Sequence, residues 1–468
     1  MKKYNLNLYN LFFACIIIYF FHLKIFYFQS DLWSDEQFSY WLINPIINFE
    51  QFFYLIFKFD IFQISFNLLL KLLFYVIPYN VENSIILIKL FSVGSIILIF
   101  FISKNYLIKK NALMITALFS SVFILNFLSD EIRSYNFSVF TLIFSFYFYL
   151  NYKNNNSKID LIFFIILSFI SATSQLFAVL FTFSILIYEL IQYSYKKNNK
   201  ALILSLLFFL LLIIFYILLA LKLSYIDNRT GAGDLNVTAL LSLYLPFYLG
   251  LPLIGRLFSL ILFINIFYYL KNFLLKFDYN LIFIIHLIIT FLTVIVFNIY
   301  FGADVIHPKH LLFTVISSIF LISNIDLKKF DNLKKFFLSI YLLFSAFQNF
   351  SLNQNADLSY SKIFVKVQES NVKDYFIKTD NSYDLKIKYR NINLTISNPL
   401  INYISNSKFF DKKINNILNR EDLENNFWLI CDLDISKCIN DEVELIQKFD
   451  VTKIINENNI NAYLLIKK

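Results

Sequence analysis

Charge is scarce in this sequence. Asp, Glu, Lys and Arg make up 16% of its 468 residues, against about a quarter of an average soluble domain. Apolar residues make up 58% and gather into long runs that a soluble core would not require. A helix needs roughly 20 mostly apolar residues to cross the hydrocarbon layer of a bilayer. Windows such as Ala201–Leu221, Leu281–Ile299 and Ala112–Leu128 meet or approach that length. With a mean hydropathy of +0.63, the composition excludes an ordinary soluble enzyme and implies a polytopic integral membrane protein.

Other absences narrow the class further. The three cysteines form no CxxC motif and no cluster with histidine, so no zinc site is expected. Cys15 falls in the first apolar segment and reads as a packing residue. Cys431 and Cys438 would pair in an oxidising compartment or stay as two free thiols, and both remain open. The apolar N-terminal run ends in Phe26-Tyr27-Phe28-Gln29-Ser30, without the small-residue site of a cleaved signal peptide. It is therefore expected to stay as the first transmembrane helix, about Leu8–Phe28. There is no repeat of fixed period. Glycine and proline number six each, against 59 Phe and 31 Tyr, a usage that suggests an AT-rich genome, so no aromatic stripe is taken as a site. The formal charge of +9 comes from lysines spread over many short loops. That pattern reflects cytoplasmic retention of Lys and speaks against a nucleic-acid partner.

Lysine placement orients the chain. The basic stretch Met1–Asn10 should be cytoplasmic, so Gln29–Asn83 becomes the first outside loop. If Ile61–Ile77 crossed the membrane, the lysines of Ser103–Asn111 would land outside. If it lies in the interface, that loop and four later Lys-rich loops (152–158, 193–200, 271–279 and 326–335) all fall inside. Ile61–Ile77 is accordingly expected to be juxtamembrane. The remaining outside segments are then Ser129–Tyr135, Ser171–Leu176, Leu223–Thr238, Phe301–His310 and everything after Phe350. About eleven spanning helices result, forming an all-α membrane domain over residues 1–350. Residues 351–468 hold no spanning segment but carry alternating or apolar runs such as Phe427-Trp428-Leu429-Ile430 and Ala462-Tyr463-Leu464-Leu465-Ile466. They predict a small extracytoplasmic α/β domain.

The outside loops hold the residues suited to chemistry. Asp35 and Glu36 are adjacent carboxylates among Trp33, Tyr40 and Trp41. Trp and Tyr anchor at headgroup level, and a partly shielded carboxylate there is able to act as a base. Ser129-Asp130-Glu131-Ile132-Arg133-Ser134-Tyr135 carries one of only five arginines. A guanidinium fork suits phosphate, although pairing with neighbouring Glu131 or Asp130 is the plainer role for Arg133. In the outside segment Phe301–His310, His307-Pro308-Lys309-His310 forms a cationic patch that suits a lipid phosphate, although a snorkelling Lys and surface His are the plainer role. The glycine-containing loop Asp227-Asn228-Arg229-Thr230-Gly231-Ala232-Gly233-Asp234 lacks the GK[ST] ending of a P-loop.

These loops together resemble the bacterial GT-C glycosyltransferases of the family 39 type, which include protein mannosyltransferase-like enzymes and the lipid A aminoarabinose transferase. Trp33-Ser34-Asp35-Glu36 stands for the family's acidic pair after the first helix. Asp60-Ile61-Phe62-Gln63-Ile64-Ser65-Phe66-Asn67-Leu68 stands where an acidic residue precedes a His-Pro-Pro-Leu-like run, here without either proline. Glu82 and Lys89-Leu90-Phe91-Ser92 replace an Arg-Leu-x-Ser stretch, Glu131-Ile132-Arg133-Ser134-Tyr135 looks like a Glu-x-Arg-x-Tyr loop, and Lys309-His310-Leu311-Leu312 replaces an Arg-Tyr-Leu-Leu-like run. The order covers roughly Lys3–Phe320.

The resemblance implies a GT-C-type fold in a bacterial inner membrane, with the active site facing the periplasm or exterior. It implies an inverting transfer from a polyprenyl-phosphate sugar donor to a lipid, glycan or protein acceptor. Polyprenyl phosphate is a good leaving group, so the main needs are a base for the acceptor hydroxyl and positive charge on the departing phosphate. Asp35 is the candidate base, with Glu36 second. Asp130, Glu131 and Tyr135 are candidates to position substrate. Arg133, Lys309 and His310 are candidates for the phosphate. If a divalent ion (Mg or Mn) assists, Asp35 and Glu131 are its candidate ligands. The alternative is a transporter, flippase or ligase of a lipid-linked saccharide. A transporter would want charges inside the spans, where only Lys24, Lys71, Lys89, Glu189 and Lys222 lie.

Overall fold

A computed structural model describes residues 8–26, 36, 39–40, 42–107, 111–196, 200–223, 278–301, 312–324, 331–355, 375–378, 426–431, 449–457 and 460–467. They divide into two compact units. The first comprises Met1–Tyr27, Pro45–Pro78 and Glu82–Ser351; the second comprises Phe28–Asn44, Tyr79–Val81 and Leu352–Lys468.

The first unit is helical. In chain order it runs α1 (Leu8–Phe26), α2 (Phe49–Phe59), a 3-10 turn (Ile61–Gln63), α3 (Ile64–Leu73), α4 (Val81–Ile102), α5 (Ala112–Ser120), α6 (Phe123–Phe127), α7 (Tyr135–Asn155), α8 (Lys158–Ser174), α9 (Ala178–Lys196), α10 (Lys200–Leu223), α11 (Asn280–Phe301), α12 (Thr314–Asn324) and α13 (Asp331–Asn355). Among the described residues five helical stretches are long and apolar enough to cross a membrane: Leu8–Ile25, Val81–Leu107, Ala178–Tyr195, Lys200–Ala220 and Asn280–Phe297. A sixth is added if the bent pair α2–α3 counts as one broken span. The chain is therefore an integral multi-pass membrane protein.

Two apolar windows behave differently from a plain span. Ala112–Leu128 is broken into α5 and α6 by Ser121 and the extended Val122. The hydroxyls of Ser120 and Ser121 bond back to the carbonyls of Ala117 and Leu118, and the freed carbonyl of Ser121 accepts a 2.6 Å bond from Ser345 on α13. The Ile61–Ile77 segment contains the 3-10 turn and the ten-residue α3, and α3 at 1.5 Å per residue is roughly half a bilayer core long. It meets α2 at a bend of 118°. Lys71, fully buried, fastens this bend by donating to the Ile47 carbonyl at 2.7 Å while its ammonium lies over the rings of Phe49, Phe52 and Tyr75.

Helices α7 and α8 form the hairpin that carries the candidate site. Asn156 turns the chain with φ 56°, a left-handed conformation that asparagine tolerates, and Ser157 caps α8. Small hydroxyl residues then zip the pair together. Ser138 bonds the Ser171 carbonyl and hydroxyl, Ser168 bonds Ser145, and Ser134 bonds the Ser174 carbonyl. Small polar residues permit this close approach in a membrane, and they fix the start of α7 against the end of α8.

The second unit contains a four-stranded mixed sheet in the order β1 (Tyr375–Lys378), β2 (Asn426–Cys431), β4 (Ile460–Lys467), β3 (Phe449–Glu457). β1 runs parallel to β2, and the other pairs are antiparallel. Trp428 on one face and Tyr463 and Leu465 on the other are buried, while Val451 and Ile454 on β3, paired with Leu465 and Tyr463, are exposed. The helical half of the expected α/β domain lies outside the described residues, as does Cys438.

Candidate functional site

Asp60 ends α2. Its backbone N–H still donates to Ile56, but its φ of −148° takes the chain out of the helix. That departure, at the 118° bend, leaves the Asp60 side chain to be gripped by the following turn. Gln63, 2% exposed, donates its amide to both carboxylate oxygens at 2.8 and 2.9 Å. The turn is itself anchored from α10, where the Tyr216 hydroxyl donates to the Ile61 carbonyl.

The loop before α7 approaches the same carboxylate. Arg133 N–H donates to the Glu131 carbonyl at 2.7 Å, closing a tight three-residue turn. Ile132, Ser134 and Tyr135 are buried while Glu131 and Arg133 are half-buried. Arg133 Nη1 lies 3.4 Å from Asp60 Oδ2, and both side chains are 14% exposed. The next residue completes the joint: Ser134 N–H donates to Gln63 Oε1 at 3.2 Å, and the Gln175 amide donates to Ser134 Oγ at 3.0 Å. Ser65 and Thr173 share a 2.6 Å hydroxyl bond beside it.

Segments assigned by lysine placement to one side thus come together: Asp60 and Gln63 from Gln29–Asn83, Arg133 and Ser134 from the second loop, and Gln175 from Ser171–Leu176. A second polar network lies where Lys153, from the Lys-rich loop 152–158, meets a charge that the sequence places inside a span. Glu189 on α9, fully buried, accepts from the Tyr149 hydroxyl at 2.6 Å and from Lys153 Nζ at 3.0 Å. Lys153 also donates to Gln192, whose amide donates to Tyr188. Tyr279, packed against Tyr149 and Tyr188, has its pKa raised by burial and then by the charges of Glu189 and Asp278.

Of the candidates read from the sequence, Arg133 enters a polar network, and it does so through Asp60, a carboxylate outside its own loop. Glu131 and Tyr135 sit in and beside the same turn. Asp130 lies in a 3-10 turn whose backbone alone is described. In the second unit Glu36 is 1% exposed, which a solvated loop would not produce. Asp35, Lys309 and His310 lie outside the described residues. Among the described residues no three of His, Cys, Asp and Glu gather where a metal ion could be held.

Gln63, Ser134 and Gln175 were not foreseen. The available signal was weak: an isolated glutamine three residues after an aspartate in an apolar run.

No protein-family model matches the sequence, and no curated protein matches it.

Proposed function

We propose that this chain is an inverting glycosyltransferase that moves a sugar from a polyprenyl-phosphate donor to an extracytoplasmic lipid, glycan or protein acceptor. The observation that carries this proposal is the Asp60–Arg133 contact. It joins two of the separate stretches on which the family resemblance rests, in a polar network at one end of an apolar helical bundle. The proposal includes about eleven spans and an orientation that turns this end toward the periplasm or exterior.

In the proposed reaction the Asp35 carboxylate takes the proton of the acceptor hydroxyl, with Glu36 as the second candidate. The acceptor oxygen bonds to the anomeric carbon from the face opposite the phosphate, and the carbon–oxygen bond to phosphate breaks. Polyprenyl phosphate leaves with the electron pair, and Arg133, Lys309 and His310 stabilise its charge.

Three of the buried charges favour an enzyme over a transporter. Glu189 is matched by Lys153 and Tyr149, Lys71 by the Ile47 carbonyl and three rings, and Lys24 by Ser92 Oγ at 2.7 Å and the Leu125 carbonyl. These charges tie helices together instead of lining a path.

The test is transfer of labelled sugar from a polyprenyl-phosphate donor by the purified full-length protein in liposomes. Mixed lipid, glycan and protein acceptors should yield a product with inverted anomeric configuration. Transbilayer movement of the donor without any new glycosidic bond would support the transporter instead.

A further inference from the structure

We propose that Gln63 is a positioning residue of this site: its carboxamide holds the Asp60 carboxylate and the Ser134 backbone together, and so sets where the Arg133 guanidinium presents itself. This rests on the reading that Arg133 meets the donor phosphate.

Gln63 acts on Arg133 from two directions. Its amide nitrogen donates to both oxygens of Asp60, the anion that receives Arg133 Nη1. Its amide oxygen accepts the N–H of Ser134, the residue that follows Arg133. One planar group therefore fixes the anion that holds the arginine's head and the backbone on which the arginine sits. The Asp60–Arg133 contact itself, at 3.4 Å, is long for a charge-assisted bond, so it leans on the groups that hold its two ends. A guanidinium fork recognises a tetrahedral anion only when its plane is correctly set.

The chemistry of the position is restrictive. The group must donate and accept at the same time and carry no charge, which an amide does. It must also reach across a full turn, and it is buried at 2% exposure, where a missing partner is costly. Leucine keeps the volume but supplies neither bond. Glutamate keeps the shape and the acceptor but sets a second carboxylate against Asp60. Two carboxylates at such a distance share one proton at low pH, and the protonated side chain of the Gln63→Glu variant would donate to Asp60 as the amide does. Among the described residues the charged or titratable groups facing the position are Asp60 and Arg133, with the Tyr216 hydroxyl on the Ile61 carbonyl beside it.

The experiment measures donor and acceptor kinetics of full-length wild type, Gln63→Leu and Gln63→Glu, with each variant expressed relative to wild type at the same pH. Gln63→Leu should lower donor kcat/KM by about tenfold to a hundredfold, the worth of one hydrogen bond to a charged group, and leave the acceptor KM unchanged. In an Arg133→Lys background the same change should cost little more. Gln63→Glu should be impaired at pH 8 and return toward wild type near pH 5.5, in kcat/KM and in unfolding midpoint alike. Wild-type donor kinetics in Gln63→Leu, full additivity with Arg133→Lys, or recovery of the midpoint of Gln63→Glu without recovery of kcat/KM would each overturn the positioning role. A wild-type protein that transfers no sugar would instead overturn the proposed function, and the positioning role with it.

Discussion

Arg133 and Asp60 meet at 3.4 Å although 73 residues separate them. Each side chain is 14% exposed, so the pair is largely shielded from water. Exposed ion pairs contribute little, and this contact is too long to be a strong bond. Its value is geometric: it ties the bend between α2 and α3 to the loop that starts α7.

Arg133→Ala and Arg133→Lys separate charge from shape. If the fork reads a phosphate, Arg133→Ala should weaken donor use more than Arg133→Lys, and Arg133→Lys should still be impaired, because a lysine supplies the charge but not the planar pair of donors. Steady-state kinetics against donor concentration give the order. Wild-type values for both variants would remove Arg133 from the site.

At the opposite end of the bundle, Glu189 is fully buried and Lys153 is 11% exposed. Breaking such a pair leaves an uncompensated charge in an apolar interior. Lys153→Met should therefore destabilise the protein by on the order of 3 kcal/mol. Adding Glu189→Gln should recover most of that loss, because the stranded charge is gone and the Tyr149 hydroxyl keeps an acceptor. Unfolding in mixed micelles provides the measurement, and strictly additive losses would show that the two side chains are not coupled.

The nearness of three of the expected outside segments was legible in the sequence, and the pairing of side chains was not. Lysine counts sorted the segments into two sets, and the hydrogen bonds of Asp60, Arg133, Ser134 and Gln175 join members of one set. Sorting by charge depends on many residues at once. The meeting of Arg133 with Asp60 depends on one tight turn at Glu131 and one helix end at Asp60, and neither leaves a mark on local composition. For the same reason the break at Ser121 was invisible to a hydropathy window. A serine hydroxyl that bonds its own backbone costs little on a transfer scale, yet here it marks where a helix ends.

Absolute orientation is open to a direct test. In a chain freed of its three native cysteines, single cysteines at Asn155, Asn198 and Asp331 should resist an impermeant thiol reagent in intact cells, whereas those at Ser34, Gly231 and Asn381 should react. Protection at Asn381 together with labelling at Asn155 would invert the orientation and put the proposed active site in the cytoplasm.

The acidic pair decides the mechanism. Glu36 is 1% exposed. Asp35 precedes it in the same aromatic stretch. Asp35→Asn preserves size and hydrogen bonding but cannot accept a proton. A positioned base contributes roughly 10²–10⁴ in rate, so Asp35→Asn should insert normally and lose at least about a hundredfold of transfer activity. Glu36→Gln should lose less if Glu36 only orients its neighbour, and the order should reverse if Glu36 is the base. Both variants are compared at matched protein level, with transfer from a polyprenyl-phosphate sugar as the readout. Full activity in both would sink the mechanism while leaving the helical architecture untouched.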